Sequence, residues 1–519
     1  MQDLNPIRFR DELDATLRRY LATGLPVSVR FPRLRQEFRV LLARETLVQG
    51  PFVESLPDFA KGASLARLVD EGVLHPAWHS LDPVILERPL HAHQEEAIRA
   101  AGSENLLVAT GTGSGKTECF LFPAIDRLLR DPERMLPGVR VLLLYPLNAL
   151  ANDQLYFRLA PLLLRQLKGT GVTFGRFTSA VAANAERDEV ENDLLRNAAL
   201  AEALGNPGEI DRSWLLTREE MLARPPHILI TNYAMLEHLL LLPRNAPLFA
   251  QRRLAMIVLD EIHTYQGAQA IEVAFLLRKL RNRLELGADA VRCIGTSASL
   301  GDDADSERAA RTFAGDLFGA PVARVVRGAR VEHRALRATD APTWSLPPGA
   351  WQALKELCGN LQGAEHADED DGAGADAVRR AVWADQAAAI DPRLALDPAA
   401  PDFGAAMLAR FASNREVRAA AAALEGRPQR FEALAHQVFG PDEPAALDAL
   451  AGVIAVGILC KPADGSYPLL PARYHLAASA IEGVSIRLDP ADPEGWSTIE
   501  ARRAVGGPED RWYPLLTCR

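Results

Sequence analysis

Cysteine is scarce in this sequence and follows no pattern. Cys119, Cys293, Cys358, Cys460 and Cys518 stand far apart, and no two share the short spacing of a metal knuckle. An odd, scattered set argues against a disulfide framework and for reduced thiols. Long apolar runs are missing as well, since none approaches the ~20 residues of a membrane-crossing helix, and a membrane partner is set aside. The N-terminus, MQDLNPIRFRDELD, is charged from the start and lacks the apolar core of a secretion signal. The expected location is the cytosol. A basic excess is also absent: the net charge is −10, which is not the global signature of a nucleic-acid binder. That balance excludes little, because a local groove can grip a phosphate backbone through main-chain N–H groups.

What is present is an ordinary globular composition, 48% hydrophobic and 24% charged over 519 residues, too long for one domain. Residues 1–85 read as short helices broken by prolines. From residue 86 nearly all-apolar runs alternate with helical stretches, the pattern of a parallel α/β sheet buried on both faces. Candidate strands are 105–110, 139–145, 172–177, 227–231, 254–260 and 290–296. Residues 180–225 read as a polar, alanine-rich insertion on the surface of that sheet. Beyond about 335 the strand signals fade. Segment 361–376 reads as a flexible acidic linker, 376–456 as helical, and the whole of 336–519 as an accessory, mainly helical region.

The strongest local signal is Thr110-Gly111-Thr112-Gly113-Ser114-Gly115-Lys116-Thr117, set between a strand and a helix. Glycines there let main-chain N–H groups turn inward around phosphates, and the helix N-terminus adds a favourable dipole. Lys116 is placed to reach β- and γ-phosphates and Thr117 to hold Mg²⁺ through its hydroxyl. Thr110 stands where such loops usually carry glycine or alanine, a mild departure. At the end of another apolar strand comes Asp260-Glu261-Ile262-His263. Asp260 suits Mg²⁺ coordination, and Glu261 suits polarising an attacking water. Acidic pairs at strand ends are common alone; behind a phosphate loop in one α/β unit they indicate an ATPase.

In order and spacing, these segments resemble superfamily 2 DEAD/DEAH-box helicases over about residues 86–335, with a RecA-like P-loop NTPase fold. By that resemblance Gln94 reads adenine, and Pro146, Asn148 and Gln154 of YPLNALANDQ contact a nucleic-acid backbone. So do Thr231, Asn232 and Tyr233, while Thr296-Ser297-Ala298-Ser299 couples nucleotide state to strand binding. His263 links the ATP site to a second motor domain. Each has a plainer alternative, such as Asn148 or Asn232 capping a helix. Within the superfamily the closest resemblance is to bacterial mitomycin-repair-type helicases, which carry a C-terminal zinc-binding domain, and to related phage-defence helicases. A weaker echo lies at 469–483.

The resemblance implies ATP and Mg²⁺ as cofactors, and DNA (single-stranded, or duplex with a tail) or RNA as partner. It also implies a second RecA-like domain supplying an arginine finger. No second strand series follows residue 335, and 512–519 reads as a strand leading into a cut-off cysteine knuckle. The expectation is therefore a fragment or split gene product completed by a downstream polypeptide, weakly active alone. The leading function is an ATP-dependent DNA helicase or translocase in repair or anti-phage defence. A restriction-type translocase motor, a nucleotide-switched binding module and a small-molecule P-loop kinase are the alternatives.

Overall fold

The computed structural model describes residues 5–24, 31–55, 58–111, 113–179, 181, 185–298, 300, 303–331, 343–365, 372–424, 428–461, 467–478, 484–494, 496–500 and 512–514. Thr112, Ser299 and Cys518 lie outside the described residues. The chain divides into two compact units, Phe59–Val331 and a second formed by Met1–Asp58 together with Glu332–Arg519.

The first unit is built on an eight-stranded sheet. Its strands are β1 (Leu106–Ala109), β2 (Val141–Leu144), β3 (Phe174–Arg176), β4 (Trp214–Leu215), β5 (Ile228–Thr231), β6 (Met256–Leu259), β7 (Arg292–Ser297) and β8 (Arg324–Arg327). They lie in the order β8-β1-β7-β6-β2-β5-β3-β4, every pair parallel. The expected α/β, RecA-like architecture with a parallel sheet is what this unit adopts. Successive strand residues point to opposite faces, and both faces are covered. Leu106, Val108, Val141, Leu143, Ile228 and Ile230 enter one core. Their neighbours Leu107, Leu142, Leu144 and Leu229 enter the other. Burying each such side chain stabilises by roughly 1.5–3 kcal/mol, which is why these runs read as continuously apolar.

All six sequence-derived strands are in the sheet. The two edge strands not foreseen are short or charged. Trp214–Leu215 has two residues, too few to show a period, and it gives the polar stretch 180–225 a place in the sheet. Arg324–Arg327 ends in arginine on both sides. Two-stranded pairing of Lys61–Ser64 with Pro89–His91 also belongs to this unit, so its compact boundary lies at Phe59 rather than residue 86.

In the second unit, strand Val48–Ser55 pairs antiparallel with Gln429–Arg430 and Ala472–Ala478. This corrects the all-helical reading of 1–85; Gly50 and Pro51 inside VQGPFVES mask the strand pattern. Helices Pro348–Glu365, Phe403–Phe411, Phe431–Phe439 and Ala446–Leu459 bury a core that includes Trp351, Trp383, Phe411 and Val453. A further sheet joins Ser485–Leu488 to Trp496–Glu500 and Trp512–Pro514, so strands do continue beyond 335. Ser485–Leu488 and Trp496–Glu500 are partly exposed along their length and lack the doubly buried signature. Of the stretch read as an acidic linker, 361–365 closes one helix and 372–376 opens the next; 366–371 lie outside the described residues.

Candidate active site

Parallel strands deliver their C-terminal ends to one rim of a sheet, where α/β folds bind ligands. At that rim β1 runs into the 110–115 loop, β2 into Tyr145-Pro146, β5 into Asn232, β6 into Asp260, and β7 ends at Ser297.

The loop is bent by glycine. Gly113 and Gly115 have φ of +75° and +73°, a region that side-chain-bearing residues rarely adopt. At Gly115 a Cβ would stand 2.2 Å from Gln94 Nε2 and 2.6 Å from Glu118 Oε2. Helix Lys116–Leu129 starts immediately after, so its first N–H groups face the loop. Two side chains hold the loop from behind. His93 Nε2 donates to Ser114 O at 2.9 Å, and burial pushes the His93 pKa down, keeping the ring neutral. Gln94 Nε2 donates to Gly115 O and to Glu118 Oε2, each at 3.1 Å, while Gln94 Oε1 accepts from His91 N–H at 2.8 Å. Inside the loop the Thr110 and Ser114 hydroxyls are 2.5 Å apart.

Lys116 Nζ crosses to the acidic pair. It lies 2.8 Å from Glu261 Oε1 and donates to Ser297 O at 3.2 Å. Glu261 has φ +49° and ψ +52°, a conformation that costs a non-glycine residue on the order of 1 kcal/mol. Its N–H donates to Thr296 Oγ1 at 3.0 Å, and Thr296 in turn donates to Asp260 Oδ1. Burial raises the Asp260 pKa, an effect the Thr296 hydrogen bond opposes. A buried carboxylate beside a hydroxyl-bearing loop is a donor set that a divalent cation would relieve. His263 Nδ1 lies 3.2 Å from Glu261 Oε2 and 3.3 Å from Ala298 N–H. The first contact needs a proton on Nδ1 and the second needs none, so the two are alternatives that tie the acidic pair to the end of β7.

The edge beside the loop differs from expectation residue by residue. Asn232 caps helix Tyr233–Leu241, accepting from Met235 N–H at 2.7 Å, and also donates to Asn148 Oδ1 at 2.8 Å. The capping role and the rim position therefore hold together. Pro146 is half-buried at the start of that turn. Tyr233 packs edge-on to Tyr265 at 6.1 Å. Thr231 is fully buried and donates to Phe177 O at 2.6 Å, so its side chain cannot meet a nucleic acid; as the last strand residue it alternates inward. Gln154 turns toward the loop, where its Oε1 accepts from Thr117 Oγ1 at 2.9 Å, instead of lying on the outer edge.

Sequence reading passed over His93 and Glu118, which the HAHQ and GKTE spacings could have suggested. It also passed over Arg330, whose Nη2 would lie 3.2 Å from a Cβ at Gly111 and whose guanidinium sits 4.8 Å from the Phe59 ring. Nothing in the sequence marks Arg330, because β8 carries no strand signal.

Residues 91–157 match the DEAD/DEAH box helicase family. The chain is 33% identical over 406 residues to the Druantia protein DruE of Escherichia coli, covering 61% of this chain and 22% of that protein. It is 26% identical over 209 residues to the uncharacterized ATP-dependent helicase MJ1574 of Methanocaldococcus jannaschii, covering 38% and 25%. Among solved structures, the DUF1998 helicase MrfA bound to DNA aligns at 20% identity with a TM-score of 0.37, over 58% of this chain and 34% of that one. The chain spans about a quarter of the length of these curated relatives.

Proposed function

We propose that this chain, which carries a superfamily 2 DEAD/DEAH-type helicase domain, is the first motor domain of an ATP-dependent DNA helicase or translocase acting in DNA repair or anti-phage defence. The observation that carries the reading is the meeting of Lys116, Glu261 and the Asp260–Thr296 pair at one sheet rim. ATP with Mg²⁺ supplies the phosphoanhydride and the divalent charge. Lys116 exchanges Glu261 for phosphate oxygens, and the 113–117 main-chain N–H groups cradle the same phosphates. Thr117 and Asp260 hold the cation. Glu261, released from Lys116, orients a water and takes its proton. Gln94 stands beside the loop at the adenine side, and the Asn148–Asn232 pair offers the neighbouring rim to a backbone of phosphates. A second RecA-like domain would supply the arginine that completes the site, worth ~10³–10⁵ in rate.

The test is ATP turnover by the chain with and without single-stranded DNA or RNA, alone and together with the downstream polypeptide. Lys116→Ala is expected to abolish nucleotide binding, and Glu261→Gln to keep nucleotide bound while stopping turnover. Equal ATP affinity in wild type and Lys116→Ala would defeat the reading. The Thr117–Gln154 hydrogen bond favours one second reading, a nucleotide-switched binding module. Nucleotide-dependent DNA binding with no turnover, even when the downstream polypeptide is present, would select it.

A further inference from the structure

The opposite rim of the same sheet holds a cavity of about 870 Å³. It opens below the start of β6 at Ala255 and Met256, beside the C-terminal end of helix Lys116–Leu129. That helix has 14 residues, about 21 Å at 1.5 Å per residue, so the cavity is a helix length away from the phosphate loop. The size falls within that of small-molecule pockets, typically ~300–1,000 Å³. Part of the wall is apolar, from Leu74, Ile98, Leu128 and Met256.

The charges on the rest of the wall do not cancel. Asp126 is buried and already accepts from His75 N–H, Trp78 Nε1 and Arg130 Nε. Asp131 is taken by Arg140 and by Glu133 N–H, and Glu133 by Arg253. Arg99 is paired with Glu71 and Glu95. Each acid is thus committed to a particular donor. Arg127 alone on this wall has no hydrogen bond or ion pair among the described residues. It is half-buried; burial first, then the like charge of Arg292, holds its guanidinium below the ordinary range, and the Asp131 carboxylate on the same wall only partly offsets this. A helix C-terminus favours a cation by only ~0.3–1 kcal/mol, a small offset against a desolvated charge facing a second arginine.

We propose that this cavity is a second small-molecule site, separate from the nucleotide site, for an organic anion with an apolar body. Arg127, on the cavity wall, pairs with its carboxylate or phosphate. One surplus cation calls for one anionic group, and the aliphatic lining calls for a hydrocarbon or aromatic body.

The test uses the full chain and 1-anilinonaphthalene-8-sulfonate, an aromatic body bearing one anionic group. Saturable one-site fluorescence enhancement is expected, at least about tenfold weaker in Arg127→Gln. Gly102→Trp should remove it, since a side chain there grows into open space on the cavity wall. Naphthalene-2-carboxylate and 2-naphthyl phosphate should displace the dye, and the stronger of the two identifies the anion; 2-naphthalenemethanol should not. Lys116→Ala should leave dye binding unchanged, which separates this site from the nucleotide reading. Dye binding that is absent, or equal in wild type, Arg127→Gln and Gly102→Trp at matched melting temperatures, would overturn the proposal.

Discussion

The Thr117 hydroxyl donates a 2.9 Å hydrogen bond to Gln154 Oε1, joining the first helical turn after the phosphate loop to the last residue of helix Asn148–Gln154. Gln154 stands directly before a π-helical stretch, Leu155–Leu159, a local irregularity frequent at functional sites. The bond uses the Thr117 proton and leaves the oxygen lone pairs for a cation, so both can be held in one geometry. The bond therefore orients the Thr117 oxygen for a cation and ties the nucleotide site to the rim segment that begins at Pro146.

Removing this bond should disfavour nucleotide. A hydrogen bond of this kind contributes a net ~1 kcal/mol, so Gln154→Leu should weaken ATP binding by up to about fivefold at fixed Mg²⁺. It should also erase any effect of single-stranded DNA on that affinity. A fluorescent ATP analogue, titrated with and without DNA, reads both. Unchanged affinity would mean that this bond does not orient the Thr117 oxygen in solution.

Asp260 is the place where stability and chemistry oppose each other. Burial raises its pKa above the ordinary 3.8, so the folded state binds a proton more readily than the unfolded chain. Stability then falls as pH rises from the unfolded value through the raised folded one, and the deficit is complete above the folded value. Asp260→Asn should melt higher than wild type at pH 7.5 without ligand. The gap should close as pH falls toward 4, and the stabilisation by Mg²⁺ with ATP should disappear. A lower melting temperature for Asp260→Asn at pH 7.5 would show that the carboxylate is already satisfied by Thr296.

How much of this was legible follows from particular residues. The phosphate loop could be read because glycine spacing dictates its geometry, and the strands because Leu142 and Leu143 must both be buried, on opposite faces. Thr231 was misread because its adjacency to Asn232 conceals the strand alternation that turns the two side chains apart. The Gln154–Thr117 bond could not be read in advance because helical phase near a π-helical stretch is not recoverable from composition. The Lys116–Glu261 contact joins residues 145 apart in sequence, and only the parallel order β1-β7-β6 brings them together.

His227 makes a sign-definite acid prediction. Its Nδ1 accepts from Thr173 N–H and its Nε2 donates to Leu136 O, both at 3.0 Å. Burial lowers its pKa from 6.5 to about 4. The unfolded chain takes the proton first, so the stability from neutral His227 is full above pH 6.5 and is lost as pH falls toward 4. At 1.36 kcal/mol per unit the swing is roughly 3 kcal/mol. The melting temperature of wild type should drop on the order of 5 °C more than that of His227→Gln between pH 7 and 4.5. Parallel curves for the two proteins would remove His227 from the acid response.

Gly452 tests the packing of the second unit. It lies inside helix Ala446–Leu459, where glycine is worse than alanine by ~1 kcal/mol on propensity alone. A Cβ at this position would stand 2.1 Å from Trp351 O and 2.9 Å from Trp351 C. Those are main-chain atoms of helix Pro348–Glu365 and cannot swing aside like a side-chain end. Gly452→Ala should therefore destabilise by ~1–3 kcal/mol, against the propensity trend. Gly359→Ala, on the partner helix, meets nothing within 4 Å and should stabilise by ~0.5–1 kcal/mol. Urea unfolding of the full chain, followed by tryptophan emission because Trp351 and Trp383 are buried in this core, separates the two. Equal stabilisation by both substitutions would mean that the helices are not in main-chain contact at Gly452.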